Sequence, residues 1–217
     1  FAVMNPELTM TLPKYQTASG CVDIMMHTME RYFNHCDNME LTDGISEHLL
    51  RTVMKNAKIL MDEPQCYKAR AEVMWAGSLS HNGLMACGDW ACHQLEHELG
   101  GMFDVAHGAG LAAVWGSWAR YVCDALPDRF EQFAVNVMGV ENGDDKNAVI
   151  QKGIEAMENF FRQIEMPTDL GGLNIEVSED QMKELALKCS HFGKRTIGCV
   201  KKLNQEDIYR IYQKAAD

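Results

Sequence analysis

Asp23 and His27 stand four residues apart, and His93 and His97 repeat the spacing. On a helix, residues i and i+4 lie on one face a turn apart, so each pair can present two donors to a single ion. His107 follows after the Gly100-Gly101 pair, a break that lets the chain double back toward the helix carrying His93. Imidazole nitrogens with one carboxylate suit divalent zinc or iron, and such a mixed set leaves a coordination position for substrate. Each spacing also has a plainer reading: a D-x-x-x-H pair as a surface ion pair, and an H-x-x-x-H pair without a metal. Asp104, three residues before His107, is the rival ligand. After His97 the chain reads E-L-G-G, so the H-E-x-x-H motif is absent, and there is no His-Asp dipeptide of the helical phosphohydrolase kind.

The remaining candidates are weaker. Glu30, seven residues after Asp23, shares its helix face and could orient a ligand or pair with a surface lysine. His81, in S-H-N-G, reads as a hydrogen-bonded packing residue, and His35, His48 and His191 as solvated. Trp75, Trp90, Trp115 and Trp118 read as core or pocket wall.

The elements that must position these groups are helical nearly throughout. Residues 1–16, with Pro6 and Pro13, read as an extended approach. Ser19 can cap a helix running to about residue 33, on which Val22, Met25, Met26, Met29 and Phe33 recur at helical steps. Thr42 can cap a second helix that Pro64 ends, and a third spans about 67–85. Asp89 can cap a fourth that stops at Gly100-Gly101, and the segment from His107 to before Pro127 is apolar nearly all round, as a buried helix is. Further helices are expected over 128–138 and 144–164, then one capped by Ser178 with Gln181 and a last one capped by Asn204. No segment alternates at period two for long, and no glycine-rich phosphate loop follows a strand, which makes this an all-α helical bundle without a nucleotide-binding sheet of its own.

Composition removes other classes. The 217 residues are 47% hydrophobic and 24% charged, an ordinary globular mixture. Twenty Lys and Arg against 31 Asp and Glu give a net charge of −11, which argues against nucleic acid as a partner. Apolar stretches stop short of the roughly 18–20 residues of a membrane crossing, and the N-terminus shows no export signal. Eight scattered cysteines without a C-x-x-C pair fit a reducing, cytoplasmic setting, and the 15 methionines read as packing material. The chain opens on Phe1 where an initiator methionine would stand, which leads us to expect a segment upstream.

Three stretches carry a family resemblance that runs nearly end to end. They are N-P-E-L-T-M-T-L-P-K-Y-Q-T-A-S-G-C-V-D-I-M-M-H at 5–27, M-W-A-G-S-L-S-H-N-G at 74–83, and H-Q-L-E-H-E-L-G-G-M-F-D-V-A-H-G-A-G-L-A at 93–112. The chain resembles the iron-containing (group III) alcohol dehydrogenases, within them the butanol dehydrogenase branch, over their C-terminal helical domain of the dehydroquinate synthase-like fold. The resemblance implies that residues 1–217 form one metal-binding domain, with Asp23, His27, His93 and His107 as ligands of one Fe2+ or Zn2+ ion. It places His97 near the nicotinamide of NAD(P), in proton movement or positioning. Arg195 and Thr196 fall loosely where the family lines its substrate pocket. Family members carry an N-terminal NAD(P)-binding domain that this sequence lacks, and we expect a homodimer when the protein is intact.

The implied reaction is reversible oxidation of a primary alcohol to an aldehyde by hydride transfer, with the metal as Lewis acid; this chain alone is expected to bind metal but turn over little alcohol. Two other readings stand beside it. One is a metal-dependent hydrolase whose cation activates water, and the other a metal-free helical interaction domain.

Overall fold

Pro13 starts the first long helix, α1 (Lys14–Tyr32), in this computed structural model, which describes residues 1–83 and 88–216. The helix begins five residues before the expected cap, because a proline at a helix start loses no needed N–H. Ser19 is therefore buried inside it. Pro6 likewise opens a short 3-10 turn, Pro6–Thr9, whose first free N–H is taken by the Asn5 side chain.

Next come α2 (Glu40–Asp62), which starts ahead of Thr42 with Glu40 and Asp43 favouring its positive end, and α3 (Tyr67–His81). Residue 85, the expected end of α3, lies outside the described residues, as does Cys87. Then follow α4 (Ala91–Phe103), α5 (His107–Val122), α6 (Pro127–Asn136), α7 (Lys146–Gln163), α8 (Glu179–Cys189) and α9 (Gln205–Ala216). Ser178 and Gln181 form the expected reciprocal cap, and Asn204 accepts from the backbone N–H groups of Glu206 and Asp207. Among the described residues the only strand-like pairing is an isolated bridge between Ile197 and Leu203, and no helix is long and apolar enough to cross a membrane.

Two expectations about α4 fail for instructive reasons. Asp89 does not cap it; its carboxylate accepts from the Cys199 N–H, and the N–H groups of Cys92 and His93 are accepted by Glu30 of α1. Nor do Gly100 and Gly101 end it, since the helix runs through both to Phe103 and the chain turns at Asp104, which adopts φ 55°. Glycine inside a helix costs only about 1 kcal/mol, which flanking turns readily absorb.

α5 lies at the centre, against α1, α4, α7 and α9, and is buried from Gly108 to Ala119. Its approach to α1 is backbone to backbone: a Cβ on Gly108 would land on the Ser19 carbonyl. This crossing brings the first residue of α5, His107, beside α1 one turn before Asp23. The far end of α1 is held by Arg129 of α6, which donates to the Tyr32 carbonyl, lies 4.6 Å over the Tyr32 ring and pairs with Asp43 of α2.

Gly108→Ala is expected to cost about 3 kcal/mol, a fall of roughly 6–12 °C in Tm, because neither backbone can yield locally. Gly20→Ala, an α1 position with nothing within 4 Å of the new Cβ, should instead gain up to about 1 kcal/mol. Thermal melts of the two variants check the pair, and a Gly108→Ala protein melting with the wild type would show that the crossing is loose.

Candidate metal centre

Asp23 and His27 occupy successive turns of α1, His93 the first turn of α4, and His107 the start of α5. Their side chains converge. Asp23 Oδ1 lies 3.3 Å from His107 Nε2, 3.4 Å from His93 Nε2 and 3.6 Å from His27 Nε2. With bonds of about 2.1 Å, the edge of a tetrahedron around zinc is roughly 3.4 Å, so these separations match donors that share one ion. Asp23 Oδ1 and His93 Nε2 are both buried and lack a hydrogen-bond partner, a costly condition that a cation between them removes. The residues thus fit a divalent ion.

Behind the imidazoles stand two buried carboxylates. His93 Nδ1 donates to Glu30 and His107 Nδ1 donates to Glu96, the former carboxylate 1% exposed and the latter 2%. In the neutral rings each bond assigns the proton to Nδ1 and leaves the Nε2 lone pair, on the side of Asp23, for an ion. Glu30 therefore orients a ring, one of the two roles its spacing allowed. Glu96 gave no signal in the sequence beyond being a Glu in H-Q-L-E-H. Its place is secured by Gly110, where a Cβ would come 2.7 Å from the Glu96 Cγ.

The electrostatics follow from this crowding. Burial disfavours a charged His93, but the facing Asp23 and Glu30 carboxylates outweigh it and raise its pKa to about 9. His107, pulled up by Asp23 and Glu96 against partial burial, rises to about 10. Burial together with the His93 charge lowers His27 to about 4. Burial pushes Asp23 up, yet the contacts with His107 and His93 prevail and hold it well below the carboxylate range.

Other candidates sort as follows. His97 is exposed at the outer edge, its ring nearly parallel to that of His107 with centroids 5.6 Å apart. His81 is hydrogen-bonded as expected, to the Gly77 carbonyl, but it is not buried in packing: its side chain is 43% exposed, its ring lies 3.8 Å from that of His27, and its Nε2 is 3.8 Å from Asp23 Oδ2. Only the packing of α3 on α1 places it there, so no local spacing could announce it. Asp104 is an exposed helix terminus outside the donor sets formed by the described residues. Arg195 donates from Nε to the Cys189 carbonyl at the end of α8, and the exposed Thr196 follows it.

Trp115 and Trp118 are core, as expected. Trp90 forms a wall, edge-on to His27 and His93 at 5.3 and 5.4 Å, under the Arg31 guanidinium. Trp75 walls an apolar groove of about 680 Å³ between α2 and α3 that none of the clustered histidines lines; the exposed His48 lines it too. His35 is exposed but bonds the Val200 carbonyl, and His191 is exposed.

An all-helical domain with histidines and a carboxylate gathered at the meeting of three helices is the architecture of a helical metal domain. The sequence pattern of the Fe-containing alcohol dehydrogenase family, C-terminal, matches residues 17–216, and the chain belongs to that family. It is 36% identical, over 99% of its length, to the NADH-dependent butanol dehydrogenase A of Clostridium acetobutylicum, and 33% identical over 99% to the NADPH-dependent aldehyde reductase YqhD of Escherichia coli. Among solved structures, NADH-dependent butanol dehydrogenase A from Thermotoga maritima superposes with a TM-score of 0.90 at 34% identity, covering 98% of this chain and 55% of that one. The chain spans about half the length of the curated relatives it matches, 56% for each of the two named.

Because His93 and His107 hold protons to about pH 9 and 10 in the metal-free protein, an ion that takes their Nε2 atoms must displace those protons. Zinc uptake near pH 7.5 should therefore release protons, and affinity should climb as pH rises from 6 to 9; pH-independent zinc affinity by competition titration would contradict this. Glu96→Gln, which cannot accept the His107 proton as a charged partner, should weaken zinc binding roughly tenfold in the same assay.

Proposed function

We propose that Asp23, His27, His93 and His107 hold one divalent ion, iron or zinc, and that this chain is the metal-binding part of an NAD(P)-dependent enzyme interconverting primary alcohols, butanol among them, with aldehydes. The observation that carries the reading is the set of three Nε2 atoms at 3.3–3.6 Å around a single carboxylate oxygen. The relatives' names, butanol dehydrogenase and aldehyde reductase, favour hydride chemistry over hydrolysis. A nucleotide-binding partner domain outside the 217 residues completes the site in this reading, which accords with the share of its relatives that the chain spans. The intact protein is then a cytoplasmic homodimer, a setting that suits its free thiols.

When bound, the ion supplies Lewis-acid polarisation of the substrate oxygen, and NAD(P) supplies the hydride. The chain's own side chains do the positioning. Glu30 and Glu96 fix the His93 and His107 rings, so their Nε2 atoms would hold the ion without rearranging. Trp90 shields the buried side of the cluster from water. His97, exposed beside His107, would accept or return the hydroxyl proton at a ring nitrogen, on the side where NAD(P) would supply the hydride.

Metal analysis of protein loaded with zinc or iron tests the assignment. The wild type should hold about one equivalent, while His93→Ala and His107→Ala should retain little. Full metal content in both variants would remove the site. The chain alone should show at most trace NAD(P)H-dependent aldehyde reduction, and robust turnover without a second domain would overturn the two-part reading.

A further inference from the structure

His81 is the histidine of the cluster that no role above uses. It ends α3, and its Nδ1 lies 2.8 Å from the Gly77 carbonyl and 2.8 Å from Ser80 Oγ. The Ser80 hydroxyl itself donates to the Gly77 carbonyl, so both of these oxygens accept from the His81 ring. A carbonyl can only accept, which assigns the proton of the neutral ring to Nδ1 and leaves a lone pair on Nε2. That Nε2 faces Asp23 Oδ2 at 3.8 Å. With the ring neutral, two acceptors therefore oppose each other with no donor between them.

Asp23, His27 and His81 form a donor set of their own, whose ligand atoms all lie within 4.8 Å of one another. It shares Asp23 and His27 with the first cluster, and the Asp23 oxygen that His81 faces is Oδ2, where His27, His93 and His107 face Oδ1. The two close sets, Asp23 with His27 and His81 and Asp23 with His93 and His107, meet at the Asp23 carboxylate. The position is on the open side, since the His81 side chain is 43% exposed against 7% for His93.

Resting on the four-ligand reading above, we infer that His81 is an additional protein donor to the same ion, entering through Nε2 beside Asp23 Oδ2 on the solvent side. A substrate oxygen arriving there meets an imidazole next to the ion and shares or displaces it. A fifth donor also suits iron, which accepts more ligands than the four that zinc commonly takes.

Cobalt(II) replaces the ion as a visible probe, because four-coordinate cobalt absorbs several-fold more strongly in its d–d bands than five- or six-coordinate cobalt. Titration of the metal-free protein with cobalt should give weak bands for the wild type. His81→Ala and His81→Gln should both give bands several-fold more intense and bind cobalt about tenfold more weakly, with unchanged far-UV circular dichroism. In the cobalt-loaded wild type, the His81 ring N–H should appear as a contact-shifted proton resonance that is lost in His81→Gln. If the bands and affinity of both variants match the wild type, or no such resonance exists, His81 is not a ligand. His93→Ala in the same titration separates the two readings: it should take up little cobalt, and full uptake would overturn the four-ligand site itself. Should either His81 variant misfold, the other variant and the wild-type resonance still decide the question.

Discussion

The Glu30 carboxylate is the contact on which the site depends. It is buried inside the bundle, accepts from the N–H groups of Cys92 and His93 at 2.7 and 3.3 Å, and accepts from His93 Nδ1 as well. A carboxylate at a helix N-terminus is favoured by the free N–H groups and the helix dipole, which offset part of the cost of burying its charge. One side chain of α1 thereby sets the start of α4 and the direction of its first histidine. The backbone adds to the lock, since the Glu30 carbonyl accepts from Asp89 N–H at 2.7 Å. Asp89 is free of capping and reaches the loop at Cys199 instead, where burial raises its carboxyl to about 6.

Glu96 repeats the device on the other side, from α4 to the first residue of α5. With Asp23 this puts three carboxylates in one neighbourhood, two of them almost fully buried. Such a group is stable only with positive charge among it. Protonated histidines supply that charge in the metal-free protein, and a divalent ion supplies it in the proposed holo form, so the folded structure is arranged around a cation whichever form that cation takes. The glycines follow from the same requirement. Gly108 lets α5 touch the α1 backbone, and Gly110 leaves room for Glu96; a larger residue at either would move His107 away from Asp23.

The amino-acid sequence by itself determined what neighbours along one helix can determine. The pairing of Asp23 with His27, the helical class, the apolar character of α5, and the caps at Ser178 and Asn204 all depend on spacings of three or four residues, which helix geometry converts directly into shared faces. The third histidine of the set, His107, was legible only through its distance past the glycine pair, and that reading reached the right place by a different turn, at Asp104.

Tertiary structure alone decided the rest. That Glu30 and not Asp89 caps α4, that Glu96 holds His107, and that the hydrogen-bonded His81 also faces Asp23 are all contacts between different helices. They are set by which helices lie side by side and how closely their backbones approach, as Gly108 on Ser19 allows, and side-chain periodicity carries no record of that. A donor set assembled from three helices is written in the chain only as residue types; its centre exists only once close packing has fixed the distances between them.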